Sequence, residues 1–169
     1  LQLTSAGSYE AGSAFFTTPI SVQDDTSFQT SFAFEMNGGL GTGGADGIAF
    51  VLQNSAARSS AIGQNAGWLG YGGIGRSVAV ELDTWRNGWD QFQDEIAVTV
   101  NGDFQRQRAA AASPVNLNSG SVNYAWIDYD GVTNQLYVYV SSSNEKPVAP
   151  VLSTKIDLRT YVGDQFYAG

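Results

Sequence analysis

Apolar and polar residues alternate along much of the chain with the period of two that is typical of half-buried β-strands. In residues 27–35, one parity is occupied by Phe28, Thr30, Phe32 and Phe34. Similar patterns predict further strands at residues 12–19, 47–53, 77–83, 95–101, 122–129 and 135–141. Each segment has a usual strand length, so the pattern predicts an all-β fold.

A hairpin signal joins the last two predicted strands. Asp130-Gly131 opens a short turn that ends at Asn134, and turns of this kind connect antiparallel neighbours. We therefore expect the strand at 122–129 to pair with the strand at 135–141.

Two longer connections and one ambiguous segment complete the pattern. Residues 37–44 are dominated by glycine, and residues 54–75 show neither a strand nor a helix period. Residues 109–112 resemble a short helix, but Ser113-Pro114 follows at once, so we interpret them as loop. Many strands and long loops favour one β-sandwich or jelly-roll domain over residues 1–169.

The composition excludes several classes of function. The formal net charge is −8, from 16 acidic and 8 basic residues, which disfavours nucleic acid as a partner. The chain has no cysteine and no histidine, so it lacks disulfides, thiolate or imidazole metal ligands, and imidazole catalysis. No apolar run reaches the roughly 18 residues of a membrane helix, so we expect no membrane insertion.

The acidic residues concentrate at one predicted strand end. Glu81 and Asp83 share one face of the strand at 77–83, because side chains alternate along a strand. More oxygen-bearing side chains follow: Asn87, Asp90, Asp94 and Glu95. Like charges on one face repel unless protons or a cation such as calcium compensate them. The pattern alone leaves two alternatives, a calcium site and a solvated acidic strand end.

The segment Glu81-Leu82-Asp83-Thr84-Trp85-Arg86-Asn87-Gly88-Trp89-Asp90 resembles the metal loop of legume (L-type) lectins. Other segments match that family in order: Ala45-Asp46-Gly47, Gly67-Trp68-Leu69-Gly70, Trp126-Ile127-Asp128-Tyr129 and Lys155-Ile156-Asp157-Leu158. The residues around Asp46 are more similar to those of bacterial members of the family than to those of plant members. The resemblance implies a concanavalin A-like jelly roll of two antiparallel sheets, in a secreted or cell-surface lectin or adhesin module.

The resemblance also implies two metal sites. The calcium ligands would be Asp83, the Trp85 carbonyl, Asn87 and Asp90. A second, transition-metal site would be formed by Glu81, Asp83, Asp90 and Glu95. Glu95 stands where the family has a histidine, and its hard oxygen favours calcium, magnesium or manganese, or leaves this site empty. We expect one firmly bound Ca²⁺ and weak or no binding of a second ion such as Mn²⁺ or Mg²⁺.

A carbohydrate site is implied by the same matches, at Asp46, Gly67, Trp85 and Asn87. A carboxylate acceptor, an amide donor and an aromatic ring suit a sugar, which offers hydroxyl groups and an apolar face. Taken singly, Asp46 is typical of a turn, Gly67 of a tight bend and Trp85 of a core. The family has a cis peptide at Ala45-Asp46, and we expect one here, with Trp85 exposed beside it.

Compared with the family, the sequence lacks a first strand before Leu1 and stops at Gly169 before a last strand. We therefore expect a domain that is incomplete at both ends, in which a missing segment or another chain completes the sheet by strand addition. The family's last sugar-contacting loop also lies beyond Gly169, and it largely sets the choice between mannose, glucose and galactose.

Two other functions stay open. Glycoside hydrolases on the same sandwich carry a Glu, an apolar residue, an Asp and then a second Glu, with acid and nucleophile about 5 Å apart. Here Trp85 and Arg86 follow instead, so the second carboxylate is absent and we expect no enzyme. A structural adhesin module would keep the calcium without binding sugar, but Asp46, Gly67 and Asn87 are all present.

Overall fold

The computed structural model describes residues 1–5, 7–37 and 44–169, so the predicted glycine loop at 37–44 lies almost entirely outside the described residues. Within the described residues the elements are, in chain order, β1 (Ile20–Ser21), β2 (Phe28–Phe34), β3 (Gly47–Gln53), β4 (Ser77–Asp83), β5 (Glu95–Val100), β6 (Ala109–Ala112), β7 (Asn123–Asp130), β8 (Gln135–Ser141), β9 (Leu152–Lys155), α1 (Leu158–Val162) and β10 (Gln165–Ala168). Two 3₁₀ turns, Arg58–Ser60 and Ala66–Trp68, lie in the connection from β3 to β4.

These strands form two antiparallel sheets. The larger sheet has the order β1-β10-β3-β4-β5-β6, and the smaller has the order β2-β7-β8-β9. Strands β7 and β8 form the predicted hairpin, in which Asp130 pairs with Gln135. The prediction of an all-β sandwich is therefore confirmed.

The main core lies between the two sheets. Buried and partly exposed residues alternate along β7 and β8, so one face packs inward and the other faces solvent. The larger sheet contributes Val80, Leu82 and Val98, none of which is more than 3% exposed. The parity predicted for β2 is confirmed, because Phe28 to Phe34 alternate between more and less buried positions.

Strand β4 is buried along its whole length, on both faces. Its second face lies under the long connection at 54–75, where Tyr71 and Ile74 pack in one cluster with Ala79. Glu81 and Asp83 follow Ala79 on this face and are each only 3% exposed. Because a buried charge is costly unless it is paired, this placement makes the end of β4 the chemically unusual part of the fold.

The strand predicted at 12–19 is wrong. Within the described residues the first strand is the two-residue β1, and the preceding segment is linked to β10 through the Phe16 amide, which donates to the Ala168 carbonyl (2.9 Å). The ring of Phe16 is 73% exposed, so the apolar pattern here does not face a core. Pro19 has no N–H to donate to a ladder, which also disfavours a strand.

The loop predicted at 109–112 is also wrong, because these alanines form β6. They pair with β5 from Val98 opposite Ala109 to Glu95 opposite Ala112. Four residues are too few for a stable helix, and pairing with β5 satisfies their backbone groups. Tertiary pairing therefore overrides the helical preference of alanine.

Among the described residues, no helix combines the length and the apolar character that crossing a bilayer requires.

Candidate functional site

Three strands place acidic side chains at one end of the larger sheet. Asp83 on β4 lies opposite Gly47 on β3 and opposite Glu95 on β5. Asp46 immediately precedes Gly47, and its carbonyl accepts a hydrogen bond from the Thr84 amide (2.9 Å). The pairing register thus brings Asp46, Asp83 and Glu95 to the same end of the larger sheet.

The segment that carries Asp46 is held from two sides. The Gly44 carbonyl accepts hydrogen bonds from Thr84 Oγ1 and from Asn118 Nδ2, each at 2.9 Å. The Ala45-Asp46 peptide is cis, as predicted. Gly47 has a φ of +142°, and a Cβ there would lie 2.4 Å from the Leu82 carbonyl oxygen, so only glycine fits this strand entry.

The loop after β4 folds back onto its own carboxylates. The Trp85 amide donates to Asp83 Oδ1 (2.7 Å), and the Asn87 amide donates to Asp90 Oδ2 (2.6 Å). These bonds fix the chain direction between residues 83 and 90. They leave the Trp85 ring 45% exposed, as predicted.

The side chain of Asn87, a residue of this loop, lies against Gly67. Its Oδ1 atom is buried and has no hydrogen-bond partner within the described part of the chain. A Cβ on Gly67 would lie 2.7 Å from that oxygen and 3.0 Å from Nδ2, so a glycine is needed for the close approach. A buried, unpaired amide oxygen is rare and indicates a missing partner.

A calcium ion fits this donor set. Asp83 and Asp90 would supply carboxylates, Asn87 an amide oxygen that has no partner among the described residues, and Trp85 a carbonyl, all of them hard oxygen donors of the kind that calcium takes. The predicted calcium ligands therefore belong to one short loop.

The second predicted set fits a metal less well, because the two carboxylates that belong to it alone, Glu81 and Glu95, are buried and bonded to the protein. Glu81 Oε1 accepts a hydrogen bond from the Tyr71 hydroxyl, which also lies 2.7 Å from Thr99 Oγ1. Glu95 is only 1% exposed and accepts from the backbone amides of Gln91 (2.8 Å) and Phe92 (3.0 Å). In the described part of the chain, no three acidic side chains come close enough together to hold a metal ion.

Burial and mutual repulsion shift these acidic groups. Burial raises the pKa of Glu81 to about 8, and the charge of Asp83 adds to the shift. Burial also raises the pKa of Asp83 to about 8, with further contributions from the charges of Asp90 and Asp46. The pKa values of Asp46, Asp90 and Glu95 are raised too, in each case mainly by burial. A cation at this end of the sheet would replace the protons that these carboxyl groups retain in the metal-free protein.

An aromatic cluster connects the loops that form the site. The ring of Phe104 packs between Trp68 (centroids 4.9 Å apart) and Trp89 (4.8 Å). Trp68 follows Gly67, and Trp89 follows the metal loop residue Asn87 by two positions. Phe104 therefore connects the loop that contains Gly67 to the loop at 84–94, which follows β4.

All eight predicted site residues lie at this end of the larger sheet, but sequence reasoning missed several residues that hold them. These are Tyr71, Thr99, Phe104, Gln107 and Asn118. Thr99 could have been found, because it shares the parity of Glu95 in the strand predicted at 95–101 and so lies on the same face. The other four lie in connections, where no period reveals which way a side chain points.

Comparisons with known proteins agree with this geometry. The sequence model described as legume lectin domain matches residues 1–169. The L-type lectin-domain containing receptor kinase VIII.2 of Arabidopsis thaliana is 33% identical over 173 residues, which cover 94% of this chain and 24% of the kinase. The lectin alpha chain of Lablab purpureus is 29% identical over 170 residues, which cover 94% of this chain and 58% of that protein. The chain spans only 24% to 28% of the length of three matching receptor kinases.

Solved structures of lectins share the fold. The metal-free form of lectin I-B4 from Griffonia simplicifolia has a TM-score of 0.76 at 25% identity, over 99% of this chain and 77% of that chain. Peanut lectin with a 9mer peptide has a TM-score of 0.72 at 27% identity, over 91% of this chain and 68% of that chain. These neighbours confirm the jelly-roll β-sandwich.

The relatives named here are plant proteins, so the predicted similarity to bacterial members is not confirmed. The family model, which covers the sequence from its first residue to its last, and the plant relatives show that this chain belongs to the legume lectin domain family.

Proposed function

We propose that this domain binds carbohydrate in a calcium-dependent manner, through a shallow site beside the metal. The observation that carries the proposal is the Oδ1 atom of Asn87, which is buried without a hydrogen-bond partner among the described residues. Asn87 and Asp90 lie in the loop that directly follows Asp83, and the side chain of Asn87 contacts Gly67. Membership of the legume lectin domain family supports carbohydrate binding, and the unpaired oxygen supports the calcium.

Calcium would be held by Asp83, Asp90, the Asn87 amide oxygen and the Trp85 carbonyl. When bound, the ion supplies positive charge that compensates the buried carboxylates. The chain's own part is to bring these donors together: the Trp85 and Asn87 amides orient the two carboxylates through short hydrogen bonds. The same bonds determine where the Asn87 side chain lies.

The sugar would contact four groups in and beside this loop. Asp46 would accept hydrogen bonds from sugar hydroxyls, and the Gly67 amide and Asn87 Nδ2 would donate to them. The half-exposed ring of Trp85 would cover an apolar sugar face. Asn87 serves both functions in this proposal, because its oxygen faces the metal and its nitrogen remains for the ligand.

Catalysis is disfavoured as an alternative function. Glu81, the residue that resembles a hydrolase carboxylate, is only 3% exposed and is hydrogen-bonded to Tyr71. It is therefore poorly placed to reach a glycosidic bond. Cleavage of a polysaccharide that is lost in Glu81→Gln would instead support a hydrolase.

We also propose that the domain acts outside the cell, secreted or at the cell surface, where glycans are accessible. The matching relatives include receptor kinases that carry an L-type lectin domain and a separate plant lectin. We further propose that the domain belongs to a larger protein or assembly, in which another segment adds a strand beside β2, at the edge of the smaller sheet.

A glycan array incubated with the protein in calcium and again in chelator tests the proposal and identifies the sugar. We expect binding to a defined set of glycans in calcium, loss of that binding in chelator, and loss in Asp46→Asn. The matched control is Asp25→Asn, an exposed carboxylate away from the site, which should bind like the unmodified domain. Equal binding with and without calcium would contradict calcium dependence. A domain that calcium stabilises but that binds no glycan would be a structural adhesin module.

A further inference from the structure

The carboxylates of the second predicted metal set have protein donors in place of a cation. Glu95 Oε2 accepts from two successive backbone amides, those of Gln91 and Phe92. Asp90 Oδ2 accepts from the Asn87 amide, and Glu81 accepts from Tyr71. Two oxygens of this set, Asp90 Oδ1 and Glu95 Oε1, both lie within hydrogen-bonding distance of one residue in the loop that connects β5 to β6.

Gln107 from that loop joins the two facing oxygens. Its Nε2 lies 3.3 Å from Asp90 Oδ1 and also donates to Glu95 Oε1. A side-chain amide nitrogen has two hydrogens, so it can donate to both carboxylates at once. The opposite end of the amide, Oε1, lies 3.5 Å from Gln91 Nε2, which is a donor. The bonds at both ends thus agree on the orientation of the amide.

We propose that Gln107 is a positioning residue, whose amide holds Asp90 and Glu95 together in the way that a second metal ion would. The domain therefore binds a single divalent cation. The inference rests on the proposed calcium site. A bridge between Asp90 and Glu95 holds Asp90 in place for calcium, as a second ion bound to both carboxylates would. The contrast with Asn87 supports this assignment, because Asn87 Oδ1 is buried without a partner among the described residues, whereas both oxygens of Glu95, which belongs only to the second set, accept from protein donors.

Metal analysis of the full chain, dialysed against calcium and manganese together, measures the number of ions directly. We expect one calcium per chain and no manganese. Two tightly held ions would overturn the inference while leaving calcium-dependent binding intact. No bound ion at all would overturn the proposed function itself, so the two failures are distinguishable.

Gln107→Ala tests the role of the bridge. Loss of the amide should weaken calcium binding by about 10-fold, as removal of a group that orients a metal ligand commonly does. Manganese should then bind as a second ion and restore calcium affinity, a rescue that a merely structural role would not produce. The matched control is Gln29→Ala, which removes an exposed amide that donates to Asp128 (3.4 Å) on the smaller sheet and should change neither measurement.

Gln107→Glu keeps the length of the side chain and provides a second test if the alanine variant folds poorly. A carboxylate in place of the amide adds an oxygen donor between Asp90 and Glu95, so this variant should bind two divalent ions per chain. If either folded variant keeps a single ion with unchanged calcium affinity, Gln107 does not replace a metal and the inference is wrong.

Discussion

The environment of Asn87 connects the metal loop to the proposed sugar site. Its backbone amide binds Asp90, its Oδ1 is buried without a partner among the described residues, and Gly67 lies within contact of its side chain. Sequence resemblance identified Asn87, Gly67, Asp83 and Asp90 by position. It could not show that the Asn87 oxygen is unpaired, because that depends on how the loop at 54–75 folds over β4.

Gly67→Ala tests the contact with Asn87. The added methyl group would lie 2.7 Å from Asn87 Oδ1, so the amide must move and calcium and sugar binding should both weaken. Folding should be nearly unaffected, because the clash is with the end of a side chain and not with backbone. Gly75→Ala is the control, since a Cβ there meets nothing within 4 Å. Calorimetric calcium titration and thermal melts measure both effects, and unchanged calcium affinity in Gly67→Ala would contradict this placement.

Trp85→Ala tests the proposed aromatic platform. Removal of the ring should weaken sugar binding by about 1–3 kcal/mol, as truncation of an aromatic contact often does. Calcium affinity should hardly change, because the backbone carbonyl of residue 85 remains. The ring is 45% exposed, so folding should also be retained. An unfolded variant, or full glycan binding per folded molecule, would show that the ring is not a platform.

Strand β4 is buried on both faces, and one of these faces carries the carboxylates of the site. The alternation of Val80 and Leu82 with Glu81 and Asp83 predicted two different faces, and the bounds of β3, β4 and β8 match the predicted ranges. Periodicity failed at 109–112 and 12–19, where pairing with β5 and exposure of Phe16, respectively, decide the structure. Local pattern therefore predicts the central strands well, whereas edge segments depend on contacts distant in sequence.

The aromatic cluster around Phe104 should hold the loop that contains Gly67 and the loop that follows β4 together. Phe104 is 8% exposed and contacts Trp68 and Trp89. Phe104→Ala should lower the free energy of unfolding by about 3–5 kcal/mol and weaken calcium binding, because both loops lose their common support. Urea unfolding measures the first effect and calorimetry the second. Phe16→Ala, at a ring that is 73% exposed, is the control and should change stability by no more than about 0.5 kcal/mol. A Phe104→Ala protein of normal stability would contradict this role.

Part of the acidic excess of the whole chain is concentrated at the end of β4. A net charge of −8 alone is compatible with simple solubility. The structure shows that Glu81, Asp83, Asp90 and Glu95 are all buried, at no more than 7% exposure, so part of the negative charge must be compensated inside the fold. The sequence predicted both the excess of charge and the strand end where it collects, but only the structure shows that these carboxylates are buried.

Stability should therefore depend on pH in a direction set by these groups. In chelator, burial raises the pKa of Glu81 from 4.5 and that of Asp83 from 3.8 to about 8. The folded protein then holds protons that the unfolded chain releases, so the free energy of unfolding should fall as pH rises from about 4 to about 8. Calcium should reduce this fall, because it compensates the deprotonated carboxylates and binds only the folded state.

Urea unfolding at pH 5 and pH 8, with and without calcium, measures the difference in the free energy of unfolding. Greater stability at pH 8 in chelator would contradict the expected direction.

The most direct test of the account is a calorimetric titration of the sugar identified on the array into the same protein, first in chelator and then in calcium. We predict no binding in chelator, saturable binding with one sugar per chain in calcium, and loss of that binding in Asn87→Ala even when calcium is present. Equal affinity in chelator and in calcium, or unchanged affinity in Asn87→Ala, would contradict the claim that calcium and sugar share this site.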